Sequence, residues 1–386
     1  MNSVAFSAEV GLKRLFLYLS FVALTMSGCG KIVDPSAPQS FGLPVVELQI
    51  SSEFLGILNS NVFNRREVPA RLKIDGSEWK VLARYSGQTS INRVKKSYDF
   101  QFLNGSYLGH HEYKLSAQIG DPTALNPLIG FQAFAQAGLM ASQVSPAVLY
   151  LNGEYQGLYF LIEPIDADFF ALRRRQLGSL YEAYGANARF TYDGGYDVRL
   201  GFESLGEKEE FYGDLELLMQ ILDEASSDEL PQRIEALLDV DNYLRYLAVS
   251  VLLHNWDGYF NNFRLYRDPA IGKFQFIPWD LDHLLVRHPE RSKVGGANRL
   301  SERLLEVPAY RERYKEILIS LLDELLTIGI LERRIDEVAS QLAAAYEADP
   351  YLSAPGVVIF QHAEQVKAFM RGWYEELRAA LVTLGP

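Results

Sequence analysis

Three oxygen-bearing side chains stand at the ends of two short apolar runs between His254 and His283. Asp257 and Asn262 are five residues apart and precede the run FRLYRD, and Asp280 follows the run KFQFIP. Carboxylate and carboxamide oxygens are hard ligands that suit Mg²⁺, which binds one or two protein carboxylates and takes its other ligands from water and phosphate. If these side chains meet, the chemistry they indicate is metal-assisted handling of a phosphate group.

The two apolar runs are the elements that would bring these side chains together. They are separated by PAIG, and runs of this composition around a short turn with Pro and Gly predict a β-hairpin. Residues just before the first strand and just after the second lie at the same open end of a hairpin. Any one of Asp257, Asn262 and Asp280 could instead serve as a turn or helix cap. Their combination favours a shared site.

The order of these residues is that of the catalytic segment of protein kinases. There an Asp orients the acceptor hydroxyl, and an Asn and a later Asp hold metal. A second region, ARYSGQTSINRVKKSYDFQF, predicts a strand, a polar loop with glycine, and a strand that opens with Lys95 and Lys96. Such a loop and lysine can cover phosphates. We predict Lys96 or Lys95 as a phosphate contact, with Arg84 as a further candidate; a solvated sheet edge is the alternative.

The chain divides into a strand-rich part and a helical part. Residues 45–163 hold most of the strand-like segments and one helical pattern, NPLIGFQAFAQAGLM, for which Asp121 or Asn126 is the expected cap. Residues 164–386 carry six apolar patterns at helical spacing, and the hairpin described above is the one strand pair predicted there. We therefore predict an α+β protein with a strand-rich N-terminal lobe, a mainly helical C-terminal lobe and a cleft between them.

Composition excludes some classes of partner. The 386 residues are 48% hydrophobic and 12% aromatic, which predicts a well-buried core. The net charge of -12 comes without a long basic stripe, so the chain is not expected to bind nucleic acid. The six histidines show no metal-ligand spacing.

Residues 1–29 have the pattern of an export signal that ends at a lipidation site. A polar start is followed by the apolar run LFLYLSFVAL and by TMSGCG, which contains Cys29, the one cysteine of the chain. The pattern resembles a bacterial lipobox and predicts that a lipid on Cys29 anchors an exported envelope protein to a membrane. A cleaved secretory signal with an incidental cysteine, or an uncleaved anchor, is the alternative. Residues 30–44, rich in Pro, Ser and Gly, predict a flexible tether.

The sequence resembles the CotH kinase family, typified by spore-coat protein H. The segments that carry the resemblance are NWDGYFNNFRLYRD, KFQFIPWDLD, YLNGEYQGLYFLIEPID, KKSYDFQF and LLEVPAYRERY, and it covers roughly residues 45–385. The resemblance implies a two-lobed protein-kinase-like fold and an ATP-dependent protein kinase that uses divalent metal, here Mg²⁺. It also implies a protein substrate with a Ser or Thr acceptor hydroxyl.

The resemblance also implies roles for individual residues. Asp257 matches the catalytic-loop Asp, and Asn262 and Asp280 match the metal-binding Asn and Asp of the family. Asp282 is a neighbour without an assigned role. Glu163, in the segment EPID between the two parts, is expected to touch the nucleotide base through backbone groups, with a plain linker as the alternative.

Two departures from the family keep other functions open. Glu182 stands where relatives commonly carry a Lys, and the helix NPLIGFQAFAQAGLM offers no Glu to pair with a strand lysine. Together with the predicted export, these features favour an alternative: an inactive kinase-fold lipoprotein that acts as an envelope scaffold or binding protein. A metal-dependent hydrolase is a third possibility, disfavoured because the sequence shows no further carboxylate or His to complete a two-metal site.

Overall fold

In the computed structural model, seven strands of the first half close into a barrel in the order β1-β2-β3-β4-β5-β7-β6. Strands β1 and β6 pair in parallel and the other neighbours are antiparallel. Apolar side chains alternate into the barrel, as the period of two requires for strands with one buried face. The strands are β1 (Val45–Gln49), β2 (Val68–Ile74), β3 (Ser77–Ser86), β4 (Ser97–Phe102), β5 (Glu112–Ser116), β6 (Val144–Leu151) and β7 (Glu154–Ile162).

The structure describes residues 38–88, 90–183, 188–192, 197–206, 212–286, 294–352 and 358–383, which belong to one compact unit. Cys29 and the predicted signal segment lie outside these residues. Leu43, within the stretch predicted as a tether, is buried in the core. In the described part of the chain, no helix is both long enough and apolar enough to cross a membrane.

A two-residue turn joins β6 to β7. Asn152 and Gly153 both have positive φ, 52° and 87°, as a type I′ turn requires, and Leu151 pairs with Glu154 across them. The Asn-Gly pair therefore sets the register of the last two barrel strands.

Two helices accompany the barrel. Helix α1 (Ser52–Ser60) was not predicted; the side chain of Ser51 caps it by accepting a hydrogen bond from the Phe54 N–H. Its weak sequence signal has a physical reason, because Leu58 is its one buried residue and the helix lies on the surface. Helix α2 (Asn126–Gln136) is the predicted one, and it ends before Gly138, which has φ +83°.

The second half contains a four-stranded sheet in the order β11-β10-β8-β9. The hairpin of β10 (Phe263–Asp268) and β11 (Lys273–Pro278) has the predicted bounds. The expectation that this hairpin is the lone strand pair was wrong, because β8 (Ser179–Ala183) and β9 (Phe202–Ser204) extend it. These two strands are too short to show a clear alternation.

Helices form the rest of the second half. Helix α6 packs against β11 and α8, and its inner face joins the largest hydrophobic core, which also covers the outer face of β6 and β7. The α+β class is therefore confirmed. The helices are α3 (Ala167–Leu172), α4 (Gly213–Glu224), α5 (Leu230–Ile234), α6 (Val240–Leu252), α7 (Arg299–Glu306), α8 (Pro308–Ser320), α9 (Ile328–Glu347) and α10 (Ile359–Thr383).

Candidate functional site

The segment after helix α6 places Asp257 beside Asn262. His254 turns the chain out of the helix with φ +57°, and Asp257 begins a short 3₁₀ turn that ends at Tyr259. The Asn262 Nδ2 donates a hydrogen bond to the Asp257 Oδ2 at 2.8 Å. A carboxamide that donates through nitrogen keeps its oxygen as an acceptor for a cation. The two side chains can thus serve one site with different atoms.

The β10–β11 hairpin brings Asp280 to the same place. Phe263 pairs with Pro278, and the Trp279 N–H donates to the Asn262 carbonyl at 3.2 Å, so Asp280 follows directly at the open end. Asn262 and Asp280 have φ of +56° and +48°, a conformation that Asn and Asp tolerate better than most residues. The structure places Asp257, Asn262 and Asp280 at one end of the hairpin, and the roles predicted for them stay predictions.

Asp282 belongs to the same cluster, which the sequence argument did not recognise. Its side chain is 22% exposed, yet its Oδ1 is buried and has no hydrogen-bond partner among the described residues. Burial raises the pKa of Asp282 well above its ordinary value, and the negative charges of Asp280, Asp121 and Asp257 raise it further. An acidic centre in which burial and neighbouring carboxylates disfavour the charged form of Asp282 favours a cation. A two-metal hydrolase was disfavoured because no further carboxylate or His was recognised for a second metal. The carboxylate of Asp282 is such a group, so that reason no longer holds.

The loop between β5 and α2 closes one side of the cluster. A Cβ on Gly120 would lie 2.4 Å from the Asp282 Oδ2, so a side chain at this position would displace the carboxylate. The Asn126 Nδ2, at the start of α2, donates to the Asp282 carbonyl at 2.8 Å. Asp121 caps the same helix start by accepting from the Asn126 N–H at 2.9 Å and from Thr123, so it contributes charge to the cluster while its carboxylate serves the backbone.

A lysine of the barrel reaches the hairpin. Lys114 lies on the outer face of β5, between the buried Tyr113 and Leu115, and its Nζ donates to the Ser86 Oγ at 2.8 Å. The same Nζ lies over the ring of Trp279, the residue before Asp280, at 5.7 Å from the ring centre. Lys114 was not predicted from the sequence as a residue of this site. The signal available was its alternation with apolar neighbours in EYKLS, which predicts an outward-facing lysine.

Arg264 and Glu182 form a pair on the adjacent strands. They are directly opposite each other on β10 and β8, the Arg264 guanidinium pairs with the Glu182 carboxylate, and the guanidinium also lies 4.7 Å from the centre of the Trp279 ring. Burial lowers the pKa of Arg264, while the charges of Glu182 and Asp280 oppose this effect. The negative charge of Glu182 is therefore matched by a buried cation in this molecule.

Lys95 lies in a buried ion pair with Asp349, which is not a member of this cluster. Its Nζ donates to the Asp349 Oδ2 at 2.7 Å and to the Leu158 carbonyl at 2.6 Å, and it lies 4.7 Å from the centre of the Tyr159 ring. Both charged side chains of the pair have no exposed surface. Asp349 follows helix α9, so this pair joins the barrel to the last helices. The role predicted for Lys95 as a phosphate contact remains untested, and its surroundings do not favour it.

Lys96 and Arg84 have described partners within the strand-rich part. The Lys96 Nζ donates to the Ile91 carbonyl at 2.8 Å in the polar loop, and burial lowers its pKa. Arg84 pairs with Asp99 at 3.3 Å and Glu67 at 3.2 Å on the outer face of the barrel. The described contacts of these two cations do not include the acidic cluster, so their predicted phosphate contacts stay predictions.

Glu163 is the centre of an ion-pair network between the two halves. Its carboxylate receives both terminal nitrogens of Arg173 at 2.8 Å, the Gln143 N–H at 2.8 Å and the His110 Nε2 at 3.1 Å. Burial alone would raise the pKa of Glu163, but His110 and Arg173 outweigh it and lower the pKa to about 2. The side chain therefore has a structural task, and the predicted contact of its backbone with a nucleotide remains untested.

The acidic cluster has the donor set that Mg²⁺ requires. Its ligand atoms are all oxygens, and the buried Oδ1 of Asp282 has no hydrogen-bond partner among the described residues, while the His283 Nε2 lies 3.8 Å from it. Mg²⁺ needs one or two protein carboxylates and fills its remaining positions with water and phosphate. The residues that would hold it are Asn262, Asp280 and Asp282.

Comparisons with known proteins agree with these features. A family model described as CotH kinase protein matches residues 83–375. The inner spore coat protein H of Bacillus subtilis (strain 168) is 27% identical over 325 residues, which cover 80% of this chain and 89% of that protein. A second protein of the same organism, described as inner spore coat protein H-like, is 24% identical and covers 68% of this chain and 78% of its own length.

Among solved structures, the proinflammatory kinase CtkA of Helicobacter pylori aligns over 75% of this chain and 95% of its own length. The TM-score is 0.38 and the sequence identity is 10%.

Proposed function

Because this chain belongs to the CotH kinase protein family, we propose that it is a Mg²⁺-dependent protein kinase that transfers a phosphoryl group from ATP to a Ser or Thr hydroxyl. The observation that carries the proposal is the meeting of Asp257 and Asn262, 2.8 Å apart, with Asp280 at one end of the β10–β11 hairpin. In protein kinases an Asp, an Asn and a second Asp in this order divide the work of positioning the acceptor and holding metal.

The roles follow from the chemistry of each side chain. Asp257 accepts a hydrogen bond from the acceptor hydroxyl and orients its oxygen towards the γ-phosphorus of ATP. As the new O–P bond forms and the bond from the γ-phosphorus to the bridging oxygen of ADP breaks, ADP leaves and Asp257 takes the hydroxyl proton. The Asn262 donor holds the Asp257 carboxylate in place. Asn262 Oδ1, Asp280 and Asp282 would hold Mg²⁺, which would supply charge neutralisation at the phosphate oxygens.

Lys114 supplies positive charge from the barrel side of the site. It lies over Trp279, next to Asp280, which is the position from which an ammonium can contact phosphates held above the acidic cluster. Lys96 remains a second phosphate contact, because it lies at the end of the polar loop between β3 and β4. In this proposal Lys95 and Arg84 do not contact phosphate, and their ion pairs stabilise the fold.

Glu182 does not by itself argue for loss of activity. Its charge is matched by Arg264, so the pair adds little net field at the phosphate site. The inactive scaffold remains the alternative. The relatives from B. subtilis are described as spore coat proteins; for this chain we propose a place in the cell envelope, with Cys29 as the site of a lipid anchor and an envelope protein as substrate.

The proposed activity is tested by incubating the protein with labelled ATP and Mg²⁺, alone and with a Ser-rich protein acceptor. We expect incorporation by the wild type and a loss of at least about a hundredfold in Asp257→Asn, because a positioned base contributes about 10²–10⁴ to rate. Asp241→Asn, an exposed carboxylate on helix α6, is the matched control. Equal incorporation by Asp257→Asn and wild type would remove Asp257 from the mechanism, and no incorporation by a folded wild type would favour the scaffold.

A further inference from the structure

A second group of possible metal ligands lies at the junction between the barrel and the second half. His110 precedes strand β5, Asp166 follows strand β7, and Asp168 lies in helix α3. One ligand atom from each of these residues lies within 4.8 Å of the other two. Ligand atoms of a tetrahedral zinc site lie about 3.3 Å apart, given bonds of about 2.0 Å. The three side chains are therefore close enough to surround one ion after small rotations.

The imidazole of His110 is oriented with one nitrogen towards the carboxylate of Asp166. The side chain is 2% exposed, and its Nε2 lies 3.1 Å from the Glu163 Oε1. Its Nδ1 is buried and has no hydrogen-bond partner in the part of the chain that the structure describes. The Asp166 Oδ1 lies 3.7 Å from this nitrogen, close enough for an ion pair but too far for a hydrogen bond. A buried polar atom without a partner is costly, and a bound cation would satisfy it.

The two carboxylates are positioned by backbone donors. Asp166 caps helix α3 by accepting from the Phe169 N–H at 2.9 Å, and Asp168 accepts from the His111 N–H at 2.8 Å. The His111 Nδ1 also contacts the Asp168 Oδ2, at 2.9 Å, which leaves the other oxygen of Asp168 as the ligand. A carboxylate has two oxygens, so these bonds orient each group while ligand capacity remains. Both side chains are 27% exposed, so water can reach the group.

We propose that His110, Asp166 and Asp168 bind one Zn²⁺ ion, with water completing the coordination. Zn²⁺ accepts His nitrogen together with Asp oxygen, whereas Mg²⁺ takes oxygen ligands and suits the acidic hairpin. Glu163 occupies the place of the outer carboxylate that holds a ligating histidine through its other ring nitrogen. This zinc site is separate from the site of phosphoryl transfer and does not rest on it.

Zinc at this position would join three segments that meet where the two halves connect. The ligands come from the loop before β5, the stretch after β7 and helix α3. An ion that binds only the folded arrangement stabilises it in proportion to the logarithm of its concentration over Kd. We therefore expect added Zn²⁺ to raise the midpoint of thermal unfolding.

The test uses untagged protein freed of metal with a chelator, then titrated with Zn²⁺ or with Co²⁺ as a spectroscopic probe. We expect one ion per chain, a micromolar or tighter Kd, and the visible absorption of four-coordinate Co²⁺. Asp166→Asn should weaken binding at least about tenfold and leave the fold intact, since Asn also caps helices well. Asp168→Asn is an independent second variant, and circular dichroism confirms that each is folded.

Two controls separate this site from its neighbours. His111→Asn removes the exposed imidazole that contacts the Asp168 Oδ2 at 2.9 Å; because the His111 backbone N–H still donates to the same oxygen, zinc binding should be retained. Asp280→Asn changes the acidic hairpin and should also retain it. The proposal is overturned if the wild type binds no zinc, if both Asp166→Asn and Asp168→Asn bind it as the wild type does, or if Asp280→Asn abolishes binding.

Discussion

Lys114 of strand β5 lies over the indole ring of Trp279, with its ammonium 5.7 Å from the ring centre. Trp279 immediately precedes Asp280 in the chain, so a cation from the barrel reaches the acidic hairpin of the second half. Arg264 also contacts the ring of Trp279, at 4.7 Å from its centre, and is neutralised by Glu182. Lys114 carries no such partner among its described contacts, which are with the Ser86 hydroxyl and the ring.

Replacing this lysine should therefore impair ATP use. We expect Lys114→Met to lower kcat/KM for ATP by at least about a hundredfold, the equivalent of about 2.7 kcal/mol. Lys80→Met, an exposed lysine of β3, is the matched control and should behave as wild type. If Lys114→Met keeps full activity and Lys96→Met loses activity, the phosphate contact is Lys96 at the end of the polar loop and not Lys114.

Asp280 should be tested with Asn in preference to Ala. Its φ of +48° is tolerated by Asp and Asn, whereas most other residues in such a conformation cost about 1 kcal/mol or more. We expect Asp280→Asn to fold normally and to lose the rise in unfolding temperature that ATP with Mg²⁺ gives the wild type. Thermal unfolding with and without nucleotide measures this, and an unchanged rise would rule out Asp280 as a metal ligand.

Asp282→Asn should change stability and metal binding in opposite directions. The raised pKa of Asp282 shows that its charged form is disfavoured by burial and by the neighbouring carboxylates, so removal of the charge relieves this cost. Without divalent metal we expect the unfolding midpoint to rise by a few degrees. With Mg²⁺ and ATP we expect weaker binding, measured by calorimetry. Lower stability in the absence of metal would contradict this account.

Removing one member of the Glu182–Arg264 ion pair should destabilise the fold more than removing both. Glu182→Ala leaves a buried guanidinium without its carboxylate, which costs about 3 kcal/mol or more in free energy of unfolding. The double variant Glu182→Leu with Arg264→Met removes both charges and should recover most of that loss. Urea denaturation of the two variants measures the difference. Equal losses in both would show that hydrogen bonding to the pair, and not its charge balance, stabilises the sheet.

The His110–Glu163 contact should make stability depend on pH in metal-free protein. Burial disfavours the charged form of His110, but Asp166 and Glu163 outweigh this and raise its pKa from 6.5 to about 9; that of Glu163 falls from 4.5 to about 2. The histidine's contribution is complete below pH 6.5 and is lost as the pH rises through 9. The glutamate's contribution is complete above pH 4.5 and is lost as the pH falls through 2.

Stability from this contact should thus be greatest between pH 4.5 and 6.5. Between pH 6.5 and 9 we expect a fall on the order of 2–3 kcal/mol in the free energy of unfolding, measured by urea titration with chelator present. His110→Gln should remove the slope in this window, whereas His111→Gln should keep it. An unchanged slope in His110→Gln would assign it to other groups.

The acidic hairpin was predictable from sequence because every determinant of it is local. Two apolar runs, a short turn and polar residues at both ends specify a register in which Asn262 and Asp280 are neighbours. The fold class was predictable for the same reason, since it depends on the period of each segment. Strands β8 and β9 were not, because β8 is stabilised by pairing with β10 and β9 by pairing with β8, and not by a pattern of their own.

The cations of the site were harder to assign than the acids. Lys95 and Lys96 follow a polar loop, and for that reason the sequence predicted them as phosphate contacts. Lys114 lies in the middle of strand β5 and was not predicted. What distinguishes Lys114 is its contact with Trp279, 165 positions later by residue number, and no local pattern records such a contact. For Lys95, the sequence around it suggested a phosphate contact, whereas its partner in the structure is Asp349, 254 residues away. The residues next to Lys95 in the sequence do not reveal that partner.

The ion pair of Lys95 and Asp349 also bears on how the chain is made. The ammonium of Lys95 and the Leu158 N–H both find their acceptor at Asp349, which is synthesised long after the seven barrel strands. Contacts of such long sequence separation form late, because a long loop must close before they gain anything. Until Asp349 has been synthesised, the Lys95 ammonium lacks its carboxylate partner and the Leu158 N–H lacks its acceptor. These contacts of the barrel can therefore form only after nearly the whole chain has been made.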